Sequence, residues 1–401
     1  MNSLLKNNET VIVLLIALIM LFCPLIGFVC AILCFRDKWA AVFIVLFSFY
    51  FGWFHGAHFD LLAHYNDLKS LEGLSLFECF NNQSTLQFGR EPYHILFKYF
   101  ILKISDNPNF FSACACFVYT LLFIYGVLGI VRKVYANNFL GYLWPIFFLI
   151  LFIVEFYKFS GVRFWPGFFV FLSFYLRYLS TDSKKYLILS FSSIAFHFSL
   201  IVFCMLALIN EVQNKNYKIQ YIIIGISLFV KYLGLPIVSS IAKLGIFKNV
   251  VNVSYQDESI INHINQFTVE FRETGNIFYL IRSDVIFISA LFVLYVLCKY
   301  SSLTNVLRNK YWSFILWLYS VVNIGYSNIT FYDRFYQGFL LILFIFFFVQ
   351  LHKINAYLTK NDRLLIFMST SISAFYAMLT AIVVPRDILW SSDLWFNSFL
   401  F

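Results

Sequence analysis

The chain has 401 residues, of which 61% are hydrophobic, 22% aromatic and 12% charged, with a net charge of +9. Soluble domains carry about 45–50% apolar and about 25% charged residues, so this composition excludes a water-covered surface of that size. The excess of Lys and Arg fits a positive-inside bias and membrane lipids as partners, with no nucleic acid implied.

A helix crossing a bilayer needs about 20 mostly apolar residues. Taken in chain order, spans are predicted over 11–34, 40–57, 110–131, 140–157, 163–179, 186–209, 219–235, 276–298, 311–325, 335–351 and 364–384. The expectation is an all-α, polytopic transmembrane bundle of about 11 spans, give or take one, forming a single domain over 1–401. The first stretch, Thr10 to Phe35, is too long for a signal h-region and lacks a small-residue cleavage site, so it reads as a retained span. The short apolar piece 93–104 reads as interfacial or re-entrant. Eight cysteines lie mostly in apolar stretches and read as small buried hydrophobes. Cys114 and Cys116 have one intervening residue, which is not zinc-ligand spacing.

Basic loops around Arg36, Arg132, Lys184, Lys299 with Arg308, and Lys353 with Arg363 read as cytoplasmic. Segment 58–92, with five acidic and two basic residues, and segment 236–275, with four acidic and three basic, read as facing the other side. Periplasmic segments are therefore expected at 58–109 and 236–275. The parity does not close: either 186–209 is broken or re-entrant, or 93–104 spans. Within the later segment, Ile237, Ile241, Leu244, Phe247 and Val251 recur at helical spacing and predict an amphipathic helix.

Ionisable side chains are costly within a bilayer, so those near span ends are the informative ones. Glu91 before Pro92 suits a helix start, where the dipole favours negative charge; it equally suits a general base, with Arg90 beside it for an anion. Arg163 follows Ser160-Gly161, and a guanidinium is the preferred bidentate partner of phosphate. His197 lies in an uninterrupted apolar run, with Ser199 near it, and can accept a proton or donate to a sugar or phosphate. No second histidine or carboxylate adjoins it, so metal and cofactor are not expected. Arg282 with Asp284, and Asp333 with Arg334, open two late spans and suit an anionic ligand, although opposite charges so close can also neutralise each other. Asp60 and His64 add a carboxylate and an imidazole at the outer end of the second span.

These pieces, in this order, resemble the EpsG-like branch of Wzy-type O-antigen (polysaccharide) polymerases. The likeness rests on Asp60 and Tyr65, Glu91-Pro92, Ser160-Gly161-x-Arg163, Phe196-His197-x-Ser199 and Arg334, with Phe164-Trp165-Pro166 as a departure. It implies a multi-pass protein of the bacterial inner membrane. Such an enzyme moves a growing glycan from undecaprenyl diphosphate onto a lipid-linked repeat unit at the periplasmic face, and a chain-length regulator is a further partner. A lipid diphosphate already leaves well, so cationic side chains can replace a metal. The resemblance gives Arg163, with Arg282 or Arg334, the diphosphates; Glu91 or His197 would deprotonate the attacking hydroxyl, and Asp60 would hold acceptor hydroxyls. An O-antigen ligase is the nearest alternative, although it would usually carry one larger outer loop. A lipid-linked oligosaccharide flippase would place charge along a central cavity, and an acyltransferase would want a histidine beside a catalytic carboxylate or second histidine in a polar loop, for which His94, three residues from Glu91, offers material.

Overall fold

The computed structural model describes residues 2–34, 38–55, 64–66, 69, 71–81, 91–129, 141–154, 162–212, 217–233, 277–301, 309–326 and 329–383. Asp60, Arg90, Ser160 and the expected amphipathic helix in 236–275 lie outside these residues. Among the described residues every regular element is helical and no strand occurs.

The helices are α1 (Asn2–Phe22), α2 (Pro24–Leu33), α3 (Lys38–His55), α4 (Leu76–Asn81), α5 (Pro92–Leu102) and α6 (Pro108–Leu122), which continues as a π-helical turn over Phe123–Leu128. After them come α7 (Trp144–Phe152), α8 (Phe164–Thr181), α9 (Lys184–Ser190), α10 (Ile201–Val212), α11 (Tyr217–Tyr232), α12 (Ile277–Tyr300), α13 (Lys310–Ile324), α14 (Ile329–Ile354) and α15 (Lys360–Val383). Four of them begin with proline at the first or second position, where the missing N–H costs no helical bond.

Among the described residues, two stretches are long and apolar enough to cross a membrane, Pro108–Leu128 and Phe331–Tyr357. Two of the expected spans are interrupted. The stretch 11–34 divides at Cys23, where Pro24 starts a second helix. The stretch 186–209 divides around His197, which is the broken form that the loop parity allowed. The piece 93–104 forms α5, whose 11 residues reach about 16 Å, half a hydrocarbon core.

The chain divides into two compact units, and the first comprises 1–138, 157–201 and 382–401. In it α3 and α6 pack at close range: a Cβ on Gly52 would meet Cys116 Sγ at 2.6 Å and the Ser112 carbonyl oxygen at 2.7 Å. Only a bare Cα permits that approach. The start of α8 is an aromatic block in which Phe164, Trp165, Phe168 and Phe169 are all buried. Helix α4 rests on α5 through Leu71, Cys79 and Ile95.

The second unit comprises 139–156 and 202–381. Its helices carry polar residues on their packed faces. Gln220 on α11 donates to Ser313 on α13, and Asn323 Nδ2 donates to Ser227 Oγ at 3.2 Å. Ser373 Oγ on α15 donates to the Val285 carbonyl at 3.0 Å. The outward faces are apolar. On α11, Ile219, Ile222, Ile226, Phe229 and Leu233 stand exposed at spacings of three and four. A water-facing helix shows the opposite arrangement. At the other end of the unit, Asp362 gathers Thr359, Tyr300 and Lys299, the last with Nζ at 2.9 Å. These hydrogen bonds and the Lys299 charge hold the Asp362 carboxyl down to about 2.

Candidate functional site

In the first unit two helix starts meet through a single ion pair. Glu91 is the N-cap of α5, yet its carboxylate makes no capping bond to its own helix. It accepts instead from Arg163 Nη1 at 2.7 Å. Arg163 is itself the N-cap of α8, and its carbonyl receives the Gly167 N–H at 3.2 Å. The side chains are 5% and 15% exposed, so the pair is largely removed from water. Pro166 falls in the first turn of α8, where no N–H is required, so the departure at Phe164-Trp165-Pro166 leaves Arg163 at the helix mouth.

His197 reaches the same place by two contacts. Phe196 stacks on Tyr93 of α5, ring centroids 4.1 Å apart, and His197 meets Phe164 of α8 edge-on at 5.6 Å. Gly167 lets this irregular stretch pack closely on α8: a Cβ would strike Phe196 Cβ and Leu200 Cδ1, each at 2.5 Å. His197 is extended (φ −157, ψ 124), between the short 3-10 turns Phe191–Ala195 and Phe198–Leu200. Its Nδ1 accepts the Ser199 backbone N–H at 3.2 Å and lies 2.8 Å from Ser199 Oγ. An Nδ1 that accepts leaves the proton of a neutral imidazole on Nε2, so that nitrogen is a hydrogen-bond donor. This choice of tautomer rests on the Ser199 backbone bond and favours the donor role over the base role for His197.

The three residues expected to carry chemistry, Glu91, Arg163 and His197, are thus brought together in one unit. His64 is also buried there, its ring edge-on to that of His94 at 4.5 Å. Beside it, Tyr65 donates its hydroxyl to the Asp106 carbonyl at 2.6 Å. The sequence reading missed Lys98, which is fully buried on the same face of α5 as Glu91 and His94. The spacing of 3 and 4 from Glu91 through His94 to Lys98 was the available signal.

The remaining described candidates lie in the second unit. Arg282 and Asp284 fall about two turns into α12, within the expected span, and Asp333 and Arg334 lie in the second turn of α14, which begins ahead of the expected 335. Buried Arg282 donates from Nη2 to the carbonyls of Phe152 and Ile153 at 3.0 and 2.9 Å. It covers the C-terminal end of α7, where a cation also complements the helix dipole. That gives Arg282 a structural use at the end of α7. Asp284 is exposed, and Asp333 accepts from Gln337 Nε2, one turn on, at 3.0 Å.

No protein-family model, curated protein or solved structure matches this chain.

Proposed function

We propose that the chain is a polytopic inner-membrane glycosyltransferase of the polysaccharide-polymerase type, working on undecaprenyl-diphosphate-linked glycans at the periplasmic face. The membrane part of this reading is supported by the composition, by two membrane-length apolar helices and by the polar-inside, apolar-outside helices of the second unit. The catalytic part is carried by one observation: Glu91, Arg163 and His197, far apart in sequence, converge at the mouths of α5 and α8.

The ion pair suggests how the site is set for reaction. A diphosphate carries more charge than a carboxylate and offers a bidentate match to guanidinium, so it competes with Glu91 for Arg163. Glu91, released, accepts the proton of the acceptor sugar hydroxyl as its oxygen bonds to the anomeric carbon of the donor. The bond from that carbon to the diphosphate oxygen breaks, and undecaprenyl diphosphate leaves with the electron pair, neutralised by Arg163. His197, through Nε2–H, steadies a phosphate or sugar oxygen.

The test is genetic. Deleting the gene is expected to leave lipopolysaccharide with core plus one repeat unit, and Glu91→Gln, Arg163→Ala and His197→Ala are each expected to fail to restore the ladder. Core with no glycan at all points to a ligase or flippase, and a normal ladder from the variants defeats the catalytic assignment.

A further inference from the structure

At one end of the second unit, three helix termini meet around a lysine that the proposed chemistry does not use. Lys231, in the last turn of α11, places Nζ 4.9 Å from the ring centre of Tyr326 and 5.9 Å from that of Tyr332. Tyr326 follows the end of α13 and Tyr332 opens α14; their rings meet edge-on at 5.1 Å. Gly325 sets this geometry. A Cβ there would strike the Phe331 ring, so only glycine lets the end of α13 close onto the start of α14. Phe331 is fixed in turn by stacking on Phe335 at 4.0 Å, and Phe335 by Phe203 at 4.7 Å. Tyr332 follows Phe331 in the chain and stacks on Tyr336 at 5.2 Å, while Lys231 and both tyrosines remain half-exposed.

Lys231 stands where the positive-inside rule disfavours lysine, since it ends the span that leads into 236–275, the segment without basic bias. The C-terminal dipole of α11 favours a cation there, but does not account for two tyrosines framing it. An ammonium beside two half-exposed tyrosines, with one face of Tyr332 stacked on Tyr336 at 5.2 Å, matches a ligand with anionic and carbohydrate parts: the cation binds phosphate, and the exposed parts of the phenols meet the sugar.

We propose that Lys231, Tyr326 and Tyr332 form a subsite for the sugar-diphosphate headgroup of a lipid-linked glycan, the lysine binding phosphate and the tyrosines the sugar. The substrate class rests on the polymerase reading; the subsite itself is testable without turnover. The purified full chain in nanodiscs is titrated with undecaprenyl-diphosphate-N-acetylglucosamine, and separately with undecaprenyl diphosphate and undecaprenol. Binding is expected to weaken in that order. Losing one charge-assisted contact in Lys231→Ala should weaken both diphosphates by about tenfold or more, and Lys231→Arg should recover most of that. Tyr332→Leu is expected to abolish the preference for the sugar-bearing lipid while leaving undecaprenyl diphosphate unchanged. Lys231→Ala protein that melts like wild type and binds all three lipids unchanged overturns the subsite. So does Tyr332→Leu protein that keeps the sugar preference. If Lys231 governs binding but deletion of the gene leaves the glycan ladder intact, the subsite stands and the polymerase reading falls. If the ladder needs Arg163 while binding ignores Lys231, the reverse holds.

Discussion

The Glu91–Arg163 pair can be tested for stability and for chemistry in a single set of variants. Both side chains are nearly buried and 2.7 Å apart, so removing one leaves the other as an uncompensated charge. For buried pairs that costs about 3 kcal/mol or more, roughly a hundredfold in the folding equilibrium. Arg163→Ala is therefore expected to lower the apparent melting temperature in detergent, followed by tryptophan fluorescence, and Glu91→Gln to do so less because an amide is cheaper to bury. The exchange Glu91→Arg with Arg163→Glu restores attraction across the same gap and should recover most of the lost stability. It moves the cation to the mouth of α5, however, and the carboxylate to the mouth of α8, so the glycan ladder should stay absent. A swap that restores both stability and ladder reduces the pair to a structural brace and refutes the exchange mechanism. Arg163→Ala melting with the wild type would refute the burial argument itself.

Three further outcomes follow from the packing. Gly52→Ala places a methyl within 3 Å of the α6 backbone and should destabilise by about 1–3 kcal/mol, read as earlier thermal unfolding. Arg282→Met strands two buried carbonyls at the end of α7 and is expected to cost about 3 kcal/mol without altering lipid binding at Lys231. Asp362 has its carboxyl held down to about 2, so its stabilisation is complete above the ordinary carboxylate range and is lost as pH falls from about 4 towards 2. Asp362→Asn should melt earlier than wild type at pH 7 and close that gap as the buffer is taken down through the same interval.

Much of the site was legible because its chemistry contradicts its surroundings. Glu91, Arg163 and His197 stand out in apolar sequence, and Pro92 marks the start of α5. The ion pair was not legible, because nothing local links two residues 72 positions apart. The break at His197 shows the same limit. The run Ile194 to Leu200 contains no proline, glycine or charge. The packing that accommodates the break involves Gly167 on a different helix, whose missing side chain admits Phe196 and Leu200. Lys98 escaped notice because a lysine between Phe97 and Tyr99 reads as an interfacial anchor until its burial is known. The structural use of Arg282 was hidden in the same way, because the carbonyls it covers belong to a helix 130 residues earlier.

The separation of Glu91 from Arg163 also has a bearing on how the chain is made. Helix α5 leaves the ribosome with its carboxylate unmatched, and the partner is translated 72 residues later. At about 5–20 residues per second that is a delay of about 4–14 s. Through that interval the nascent α5 has reason to stay at the aqueous edge of the translocon, docking only once α8 has emerged. Chains arrested before residue 163 should accordingly be cleared by membrane proteases faster than chains arrested beyond residue 181, which have both halves of the bond.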